Sequence, residues 1–419
     1  MTYVAASIRL ITNATIISDK KRYRMALQIL HEHEVNRDIG DLDRAWMGKS
    51  TFAFVPDKGG VPDAWIAGIL DCLPDLYREG HFALLTSGST GRPKLVFGRR
   101  ERTDSLAHAL HEAQDSEPVS ESIVTLPLTY CYAFVNQWLW ARVHDRRLVL
   151  TRGLSHPGEL KGSLLAADDA MLCLVGAQVP MLEQYLGGTP FPGVIRVHFA
   201  GGRFPEQKLA EVQALFPNGT IFNNYGCAEA MPRLTLRRAD AAQSAGHIGW
   251  PLPGITLKTA TSGELLFRSP YGAVAQADET GFSIIDKEMW VPTGDLGEQA
   301  EDGHVELHGR EGDVFKRYGE KISLPLLLHS VAIQWPGQVG VYREVDGAGE
   351  EGYVLILAPH PSKAQVMSIL KALRADHPRP HWPLRVESLE TLPLLPNGKV
   401  DLGKLALQSD TQERWRQRI

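Results

Sequence analysis

The sequence has few of the features that mark several large classes of protein. Its four cysteines lie far apart and form no C-x-x-C pair, so we expect neither a disulfide framework nor a structural zinc site. No run approaches the ~20 apolar residues of a membrane span, and the N-terminus does not read as a secretory signal. The net charge of −5, without a basic block, gives no case for nucleic acid as a partner. We expect a cytoplasmic protein.

The composition is that of an ordinary globular protein with a large core. The chain has 419 residues, of which 43% are hydrophobic and 22% charged, which suits two or three domains. Short apolar runs alternate with helical patterns, and this alternation predicts an α/β fold. Helices are predicted at 102–116 and 363–374. Strands are predicted at 82–85, 123–126, 171–175, 194–199, 220–223, 264–268, 281–285, 353–357 and 384–386.

The character of the chain changes after Arg310. A segment rich in glycine and charge, 311–321, precedes a smaller unit with its own strands and helix. We therefore predict a large N-terminal domain at 1–309 and a small C-terminal domain at 310–419. The basic, polar tail 412–419 is predicted to be frayed.

One loop has the composition of a phosphate-binding loop. The strand predicted at 82–85 leads into six small or hydroxyl-bearing residues and then a lysine: Thr86, Ser87, Gly88, Ser89, Thr90, Gly91 and Lys94. Glycines let backbone N–H groups approach an anion, hydroxyls donate hydrogen bonds, and lysine adds a mobile charge. These properties suit a polyphosphate, although a polar turn has the same composition. The spacing does not match a Walker A motif, and the sequence has no dinucleotide or protein-kinase signature.

Four further segments follow this loop in order. They are NNYGCAEA at 223–230, PTGDLG at 292–297, GREGDVFK at 309–316 and LPNGKV at 395–400. Together with TSGSTGRPK at 86–94 they resemble the core motifs of the adenylate-forming superfamily, which includes acyl- and aryl-CoA synthetases, nonribosomal-peptide adenylation domains and beetle luciferases. The resemblance runs from about residue 82 to 405. It implies a large domain of layered α/β subdomains and a small, mobile α+β C-terminal domain.

The resemblance also implies a reaction and an ATP site. A carboxylate attacks the α-phosphorus of ATP, giving an acyl-adenylate and pyrophosphate, and the acyl group then passes to a thiol. ATP and Mg²⁺ are the expected cofactors. The loop from Thr86 to Lys94 corresponds to the grip on the β- and γ-phosphates, Asp295 to the ribose ligand, and Tyr225 to the aromatic face for adenine. The other residues that correspond to the ATP site are Gly201, Gly202, Asn224, Gly226, Arg310 and Lys316.

For four of these residues a structural explanation is also open. Outside this context an Asx-turn would explain Asp295, and core packing would explain Tyr225. A solvated charged turn would explain Arg310 and Lys316. Gly226 is expected to be glycine because a side chain there would obstruct the nucleotide.

Two residues correspond to catalytic positions. Glu229 matches the acidic residue that helps to hold Mg²⁺ on the phosphates, and Mg²⁺ prefers oxygen ligands. Lys399 matches the catalytic lysine of the small domain, which stabilises charge between the carboxylate and the α-phosphate. Gly312 falls at the hinge between the two domains.

The sequence departs from the family pattern in three places. Ala228 stands where the family usually has a threonine that contacts the α-phosphate, which removes a hydrogen bond worth ~1.5–3 kcal/mol. Gly312 stands where Asp or Lys is usual. Only 85 residues precede Thr86, so we expect a shortened N-terminal subdomain, whose missing surface is either replaced by a homodimer contact or left open.

The residues beside the predicted carboxylate pocket are aromatic. Tyr130, Tyr132 and Phe134 are predicted to wall a slot, and Gly201 and Cys227 are also predicted to contact the substrate. Such walls suit a flat ring, hydroxylated or not, although an aromatic core has the same composition. The Asp by which amino-acid-activating members hold the substrate ammonium has no match here. An aromatic acid is the predicted substrate, and a short or medium fatty acid is the alternative.

The acceptor is predicted to be the pantetheine thiol of an acyl carrier protein or of CoA. The compact build resembles stand-alone ligases that load carrier proteins, and also short phenylacetate-type CoA ligases. Arg317 and Lys321, near the hinge, are candidates for contacts with the acceptor's phosphates. An amine acceptor, giving an amide, stays open, as does a non-catalytic relative that only binds nucleotide.

Overall fold

The computed structural model describes residues 28–57, 61–86, 93–202, 204–240, 243, 246–393 and 400–417. Within them the chain forms four β-sheets together with helices, which confirms the predicted α/β fold. Of the helices in these ranges, none has the length and apolar character needed to cross a membrane.

The first sheet has six strands and leads into the predicted phosphate loop. Its first three strands run parallel, and the fourth returns antiparallel to the third. Thr86, at the end of the third strand, therefore lies opposite Lys94, at the start of the fourth. In sheet order the strands are Gln28–His31, Phe52–Val55, His81–Thr86, Lys94–Arg99, Ala275–Asp278 and Gly281–Ile284.

The second sheet has eleven strands, antiparallel in one half and parallel in the other. Strands 194–199 and 220–225 are parallel neighbours, so the segments that follow Phe199 and Tyr225 leave the sheet side by side. In sheet order the strands are Thr256–Thr259, Glu264–Arg268, Val291–Gln299, Val305–Arg310, His247–Pro251, Thr235–Arg238, Thr220–Tyr225, Val194–Phe199, Ala170–Leu174, Glu121–Val124 and Arg147–Leu150.

A large aromatic core contains side chains from both of these sheets. Two helical segments contribute to it, Arg100–Ala113 and the continuous stretch Cys131–Val143, which includes a π-helical part at Phe134–Leu139. Wide turns of this kind are rare and occur often near functional sites. The other α-helices are Glu32–Arg37, Gly40–Met47, Asp63–Asp71, Pro157–Leu165, Val179–Leu186, Leu209–Leu215, Leu324–Gln334, Lys363–Asp376 and Leu402–Leu405.

Some elements begin earlier than the apolar pattern predicts. The strand Glu121–Val124 starts two residues before the predicted one, because Glu121 is buried and pairs with Arg147. The helix Arg100–Ala113 likewise starts before residue 102, and buried Arg100 donates to the carbonyl groups of residues 48 and 50. The pattern of apolar residues does not reveal a charged residue that is buried and paired inside a strand or helix.

The described strands after residue 310 pair only with one another, in a hairpin and a four-stranded sheet. The prediction that the tail is frayed is wrong for residues 412–416. They form a strand in which Trp415 lies opposite Val386 and packs against the core of this part of the chain. The boundary at 310 stays a prediction. The strands are Val314–Arg317, Glu320–Ser323, Gln338–Val345, Glu351–Ala358, Arg385–Ser388 and Gln412–Arg416.

Candidate active site

Two residues of the predicted phosphate loop lie in the described part of the chain. Thr86 and Lys94 face each other at the ends of adjacent strands. The Thr86 hydroxyl oxygen is buried and has no hydrogen-bond partner among the described residues, so it is available to a ligand. The other predicted loop residues lie outside the described residues: Ser87, Gly88, Ser89, Thr90 and Gly91.

Lys94 and Glu229 form an ion pair joined by a hydrogen bond. Lys94 Nζ also donates to Gln276 Oε1 at 3.3 Å. The two side chains are 20% and 18% exposed. Burial raises the pKa of Glu229, but the Lys94 charge and the hydrogen bonds outweigh burial and hold it below its usual value. Glu229 is therefore ionised at neutral pH, as a magnesium ligand must be.

A tight turn sets the position of Glu229. It lies in a 3-10 turn at Ala228–Ala230, after which Met231 takes the left-handed φ of 56°, which is uncommon for a residue with a side chain. A Cβ on Gly226 would lie 1.8 Å from the carbonyl oxygen of Pro232. The packing of this turn on itself therefore requires glycine, which is a different reason from the predicted clash with a nucleotide.

Asp295 lies at the centre of a second hydrogen-bonded group. Its Oδ2 accepts from the Tyr225 hydroxyl at 2.7 Å, and its Oδ1 accepts from Arg310 Nε at 3.1 Å. Asp295 and Arg310 lie opposite each other in neighbouring antiparallel strands, and Asp295 is 7% exposed. The fold thus brings together three residues that were predicted in the ATP site from separate motifs.

Cys227 lies between Tyr225 and Glu229 in the chain, so one short segment, 225–229, carries a residue of each group. Burial raises the pKa of the Cys227 thiol well above the usual value, and the carboxylates of Glu229 and Asp295 raise it further. The thiol itself is neutral and is not a nucleophile.

Three further residues predicted in the ATP site, Asn224, Gly201 and Gly202, lie at or just after the ends of the parallel strands 194–199 and 220–225. Asn224 Nδ2 donates to the carbonyl oxygen of Phe199 at 3.0 Å, which joins the two strands before they enter the site. Gly201 has a φ of 75°, a conformation that glycine adopts at little cost. Gly202 is exposed.

The predicted aromatic slot is only partly present. Tyr130 is half-buried, and Tyr132 is 8% exposed with its ring centroid 4.8 Å from the guanidinium carbon of Arg233. Phe134 is fully buried and stacks on Phe82 with ring centroids 5.0 Å apart, so its predicted contact with substrate is corrected to a place in the core. Residues two apart on a helical segment point in nearly opposite directions.

Sequence reasoning missed two buried polar residues beside this slot. Arg233 is 1% exposed and His198 is fully buried, and the side-chain nitrogens of both lack hydrogen-bond partners among the described residues. The signal in the sequence is slight: a basic residue four positions after Glu229, and an imidazole among apolar residues in strand 194–199.

The described residues predicted at or near the hinge, Gly312, Lys316 and Arg317, are not part of the two hydrogen-bonded groups of the site. Lys316 is exposed on its hairpin, and Gly312 is exposed in a 3-10 turn with space around it. Arg317 is 2% exposed and pairs with Asp346 at 3.0 Å, so the idea that it meets an acceptor phosphate is corrected, because its charge is used inside the fold. Lys399 lies outside the described residues.

A cavity of about 230 Å³ lies at the carboxyl ends of the first three strands of the first sheet. His31, Asp57 and Asp63 line it, and two carboxylates do not suit a polyphosphate, so we do not place the nucleotide there. Over the described ranges no cluster of three or more His, Cys, Asp and Glu side chains forms a metal site. A magnesium ion held mainly by phosphates needs only one carboxylate such as Glu229.

Comparison with known proteins agrees with these observations. The protein family described as AMP-binding enzyme matches residues 79–273. The non-ribosomal peptide synthetase CmlP of Streptomyces venezuelae is 24% identical over 343 residues, which is 77% of this chain and 34% of that protein. The 2-succinylbenzoate–CoA ligase of Oceanobacillus iheyensis is 25% identical over 287 residues, which is 64% of this chain and 57% of that enzyme. The chain thus spans about a third of the synthetase and little more than half of the ligase.

A solved structure shares the fold. O-succinylbenzoate–CoA synthetase (MenE) of Bacillus subtilis in complex with AMP superposes with a TM-score of 0.71 at 18% identity, over 92% of this chain and 88% of that one. The same enzyme in complex with ATP and magnesium gives a TM-score of 0.70. ATP and Mg²⁺, predicted from the sequence, are the cofactors of this superfamily. Residues 79–273 thus belong to the family of AMP-binding enzymes, and the chain shares the fold of O-succinylbenzoate–CoA synthetase, in agreement with the resemblance that the motifs indicate.

Proposed function

We propose that this protein activates a carboxylic acid with ATP, forming an acyl-adenylate and pyrophosphate, and then transfers the acyl group to a pantetheine thiol. The observation that carries the proposal is the pair of hydrogen-bonded groups that the segment 225–229 joins, Lys94 with Glu229 and Tyr225 with Asp295. One group offers a cation and a carboxylate for a magnesium-bound phosphate chain. The other offers a carboxylate and an aromatic ring for a nucleoside.

Asp295 is proposed to bind the ribose. Each carboxylate oxygen accepts about two hydrogen bonds, and Tyr225 and Arg310 use one position on each oxygen. The remaining positions accept from the 2′- and 3′-hydroxyls. Because the two donors already fix the carboxylate, little conformational freedom is lost when the nucleoside binds.

Lys94 and Thr86 are proposed to hold the β- and γ-phosphates. In this structure Lys94 and Glu229 neutralise each other, so neither charge is buried alone. When ATP binds, Lys94 turns to phosphate oxygens and Glu229 is freed to hold Mg²⁺. Held by Glu229, the ion would supply Lewis-acid stabilisation of the negative charge on the phosphates. Thr86 donates its unpartnered hydroxyl to the same chain.

Lys399 is proposed to stabilise charge at the α-phosphate, carried there by a domain at 310–419 that turns about Gly312. A mobile carrier lets the lysine act in adenylation and withdraw for thiol transfer. Lys399→Ala is expected to lower adenylation by a factor on the order of a thousand yet to spare transfer from preformed adenylate. Equal loss in both half-reactions would contradict this role.

The acid is proposed to be aromatic, held beside Tyr130 and Tyr132, and the acceptor to be CoA or a carrier protein. The two matched relatives are named as a CoA ligase and a peptide synthetase, which supports a pantetheine thiol without choosing between the carriers. The cytoplasmic location and the homodimer stay predictions. Addition of CoA, holo carrier protein or an amine, with mass spectrometry of the adenylate, identifies the acceptor.

The activity is tested by acid-dependent exchange of labelled pyrophosphate into ATP, with a panel of aryl and fatty acids. Exchange that requires an acid supports the proposal, and ATP binding without exchange for any acid contradicts it. Glu229→Gln is expected to lower exchange about 100-fold or more, because Mg²⁺ loses its carboxylate. Glu211→Gln, the same change on an exposed helix surface, is the control and is expected to behave as wild type.

A further inference from the structure

Arg233 is a buried cation without a carboxylate partner. The residue is 1% exposed, and its Nε, Nη1 and Nη2 have no hydrogen bond of full geometry to any described residue, although the Tyr132 hydroxyl lies close enough to interact with the guanidinium. Its backbone is held by a hydrogen bond to the Ala230 carbonyl oxygen at 3.2 Å, in the turn that carries Glu229. A guanidinium has five N–H donors and stays charged in proteins. The donors are thus held in place with no carboxylate acceptor from the described chain.

The neighbours of Arg233 do not neutralise it. The Tyr132 ring makes a cation–π contact, which balances only part of a buried charge. Burial raises the pKa of the Tyr132 hydroxyl well above its usual value and that of the Cys173 thiol to about 11, so both groups are neutral near pH 7. Burial and the Arg233 charge lower the pKa of His198 and keep it neutral as well. The carboxylate of Glu229, on the same turn, is taken by Lys94.

Arg233 is tied to two parts of the site. Its guanidinium carbon is 4.8 Å from the ring centroid of Tyr132, which is predicted to wall the substrate slot, and its backbone N–H donates to the turn that carries Glu229. An acid that has its reacting carboxylate toward Glu229 and its body along Tyr132 can therefore present its far end to Arg233.

We propose that the acid activated here carries a second oxygen acceptor at its far end, which binds the guanidinium of Arg233. This inference rests on the proposed function and names its substrate class. A planar guanidinium binds a carboxylate through two parallel hydrogen bonds, so a dicarboxylic acid satisfies it best and a hydroxylated aryl acid less well.

The test compares matched acids in the pyrophosphate exchange assay. Benzoate, para-hydroxybenzoate and terephthalate form one series, and hexanoate and adipate form another. The wild-type enzyme is expected to prefer the acids with a distal acceptor about 100-fold in kcat/KM over their parents, because the parents leave the guanidinium unpaired. Comparison of terephthalate with para-hydroxybenzoate shows whether the acceptor is a carboxylate or a hydroxyl.

Two variants assign the preference to Arg233. Arg233→Met is expected to bring the kcat/KM ratio of terephthalate to benzoate close to one, and Arg233→Lys to keep part of it. Arg238→Met, which removes an exposed arginine nearby in the sequence, should leave the ratio unchanged. A wild-type enzyme that uses benzoate or hexanoate as well as the substituted acids would overturn the inference and leave the proposed function standing. So would a preference that survives in Arg233→Met. Absence of exchange with every acid would contradict the proposed function itself.

Discussion

Two buried arginines in this molecule have opposite surroundings. Arg317 is 2% exposed, and its terminal nitrogens donate to the Asp346 carboxylate and to the carbonyl oxygens of Pro380 and Trp382. Arg233 is 1% exposed and has no carboxylate partner among the described residues. Both carry a permanent charge in a low-dielectric interior, where a charge is costly unless it is paired.

The difference separates an arginine that holds the fold together from one that is available to a ligand. Where a buried arginine serves the fold, this chain supplies its acceptors: Asp346 pairs with Arg317, Glu206 pairs with Arg237, and Arg100 donates to two backbone carbonyl groups. Arg233 departs from that pattern in the part of the site where the substrate is expected. We infer that its partner comes from outside the chain.

The largest effect is expected when the partnered arginine is removed. Arg317→Met leaves the Asp346 carboxylate buried without its cation and is predicted to lower the free energy of unfolding by about 3 kcal/mol. Arg233→Met removes an unpaired charge and keeps an apolar side chain of similar length, so it is predicted to change stability by less than about 1 kcal/mol or to increase it. Urea unfolding of both variants measures the contrast. A loss at Arg233 as large as that at Arg317 would show that Arg233 has a structural partner.

A smaller effect is expected from ligand protection. Terephthalate at about 100 times its Kd is predicted to stabilise the wild-type protein by about 2.7 kcal/mol and Arg233→Met hardly at all. Differential scanning calorimetry with terephthalate and with benzoate measures both shifts. Equal protection of the two proteins by terephthalate would place the second carboxylate elsewhere.

The smallest effect is expected at Ala228. Arg233 lacks an acceptor for its hydrogen bonds, whereas this position lacks the hydroxyl donor that the family usually has. Ala228→Thr restores a hydroxyl beside Glu229 and is predicted to raise kcat for adenylation about tenfold, by one hydrogen bond to a charged oxygen. Ala228→Val, which has the same shape without the hydroxyl, is the control. A similar rate for the Thr and Val variants would mean that no donor is lacking at this position.

The sequence predicted the grouping of the nucleotide-site residues better than that of the substrate-site residues. Tyr225, Asp295 and Arg310 belong to ordered motifs, and the fold joins them by hydrogen bonds at 2.7 and 3.1 Å. Their binding roles remain predictions. Motifs are informative here because they fix residue types in strands that the sheet brings together, as when Asp295 lies opposite Arg310 in the neighbouring antiparallel strand.

The substrate side depends on side-chain direction, which composition does not show. Tyr132 and Phe134 look alike in the sequence, yet only Tyr132 contacts Arg233, while Phe134 packs in the core. Arg233 itself reads as a surface residue, because arginine is rarely buried without a carboxylate. Its burial follows from the tight turn after Glu229, a tertiary property. The strand at 412–416 was missed for a similar reason, since its pairing with 385–388 crosses a long stretch of chain.

The most direct test of adenylate formation follows one oxygen atom. The enzyme is incubated with ATP, Mg²⁺, a carboxylic acid labelled with ¹⁸O in its carboxyl group, and hydroxylamine, which takes the acyl group at its carbonyl carbon and releases AMP for mass spectrometry. Attack of the carboxylate on the α-phosphorus transfers one labelled oxygen to AMP, and pyrophosphate is released unlabelled. AMP with one ¹⁸O per molecule is the predicted result. Unlabelled AMP, or release of ADP and phosphate instead, would contradict the account.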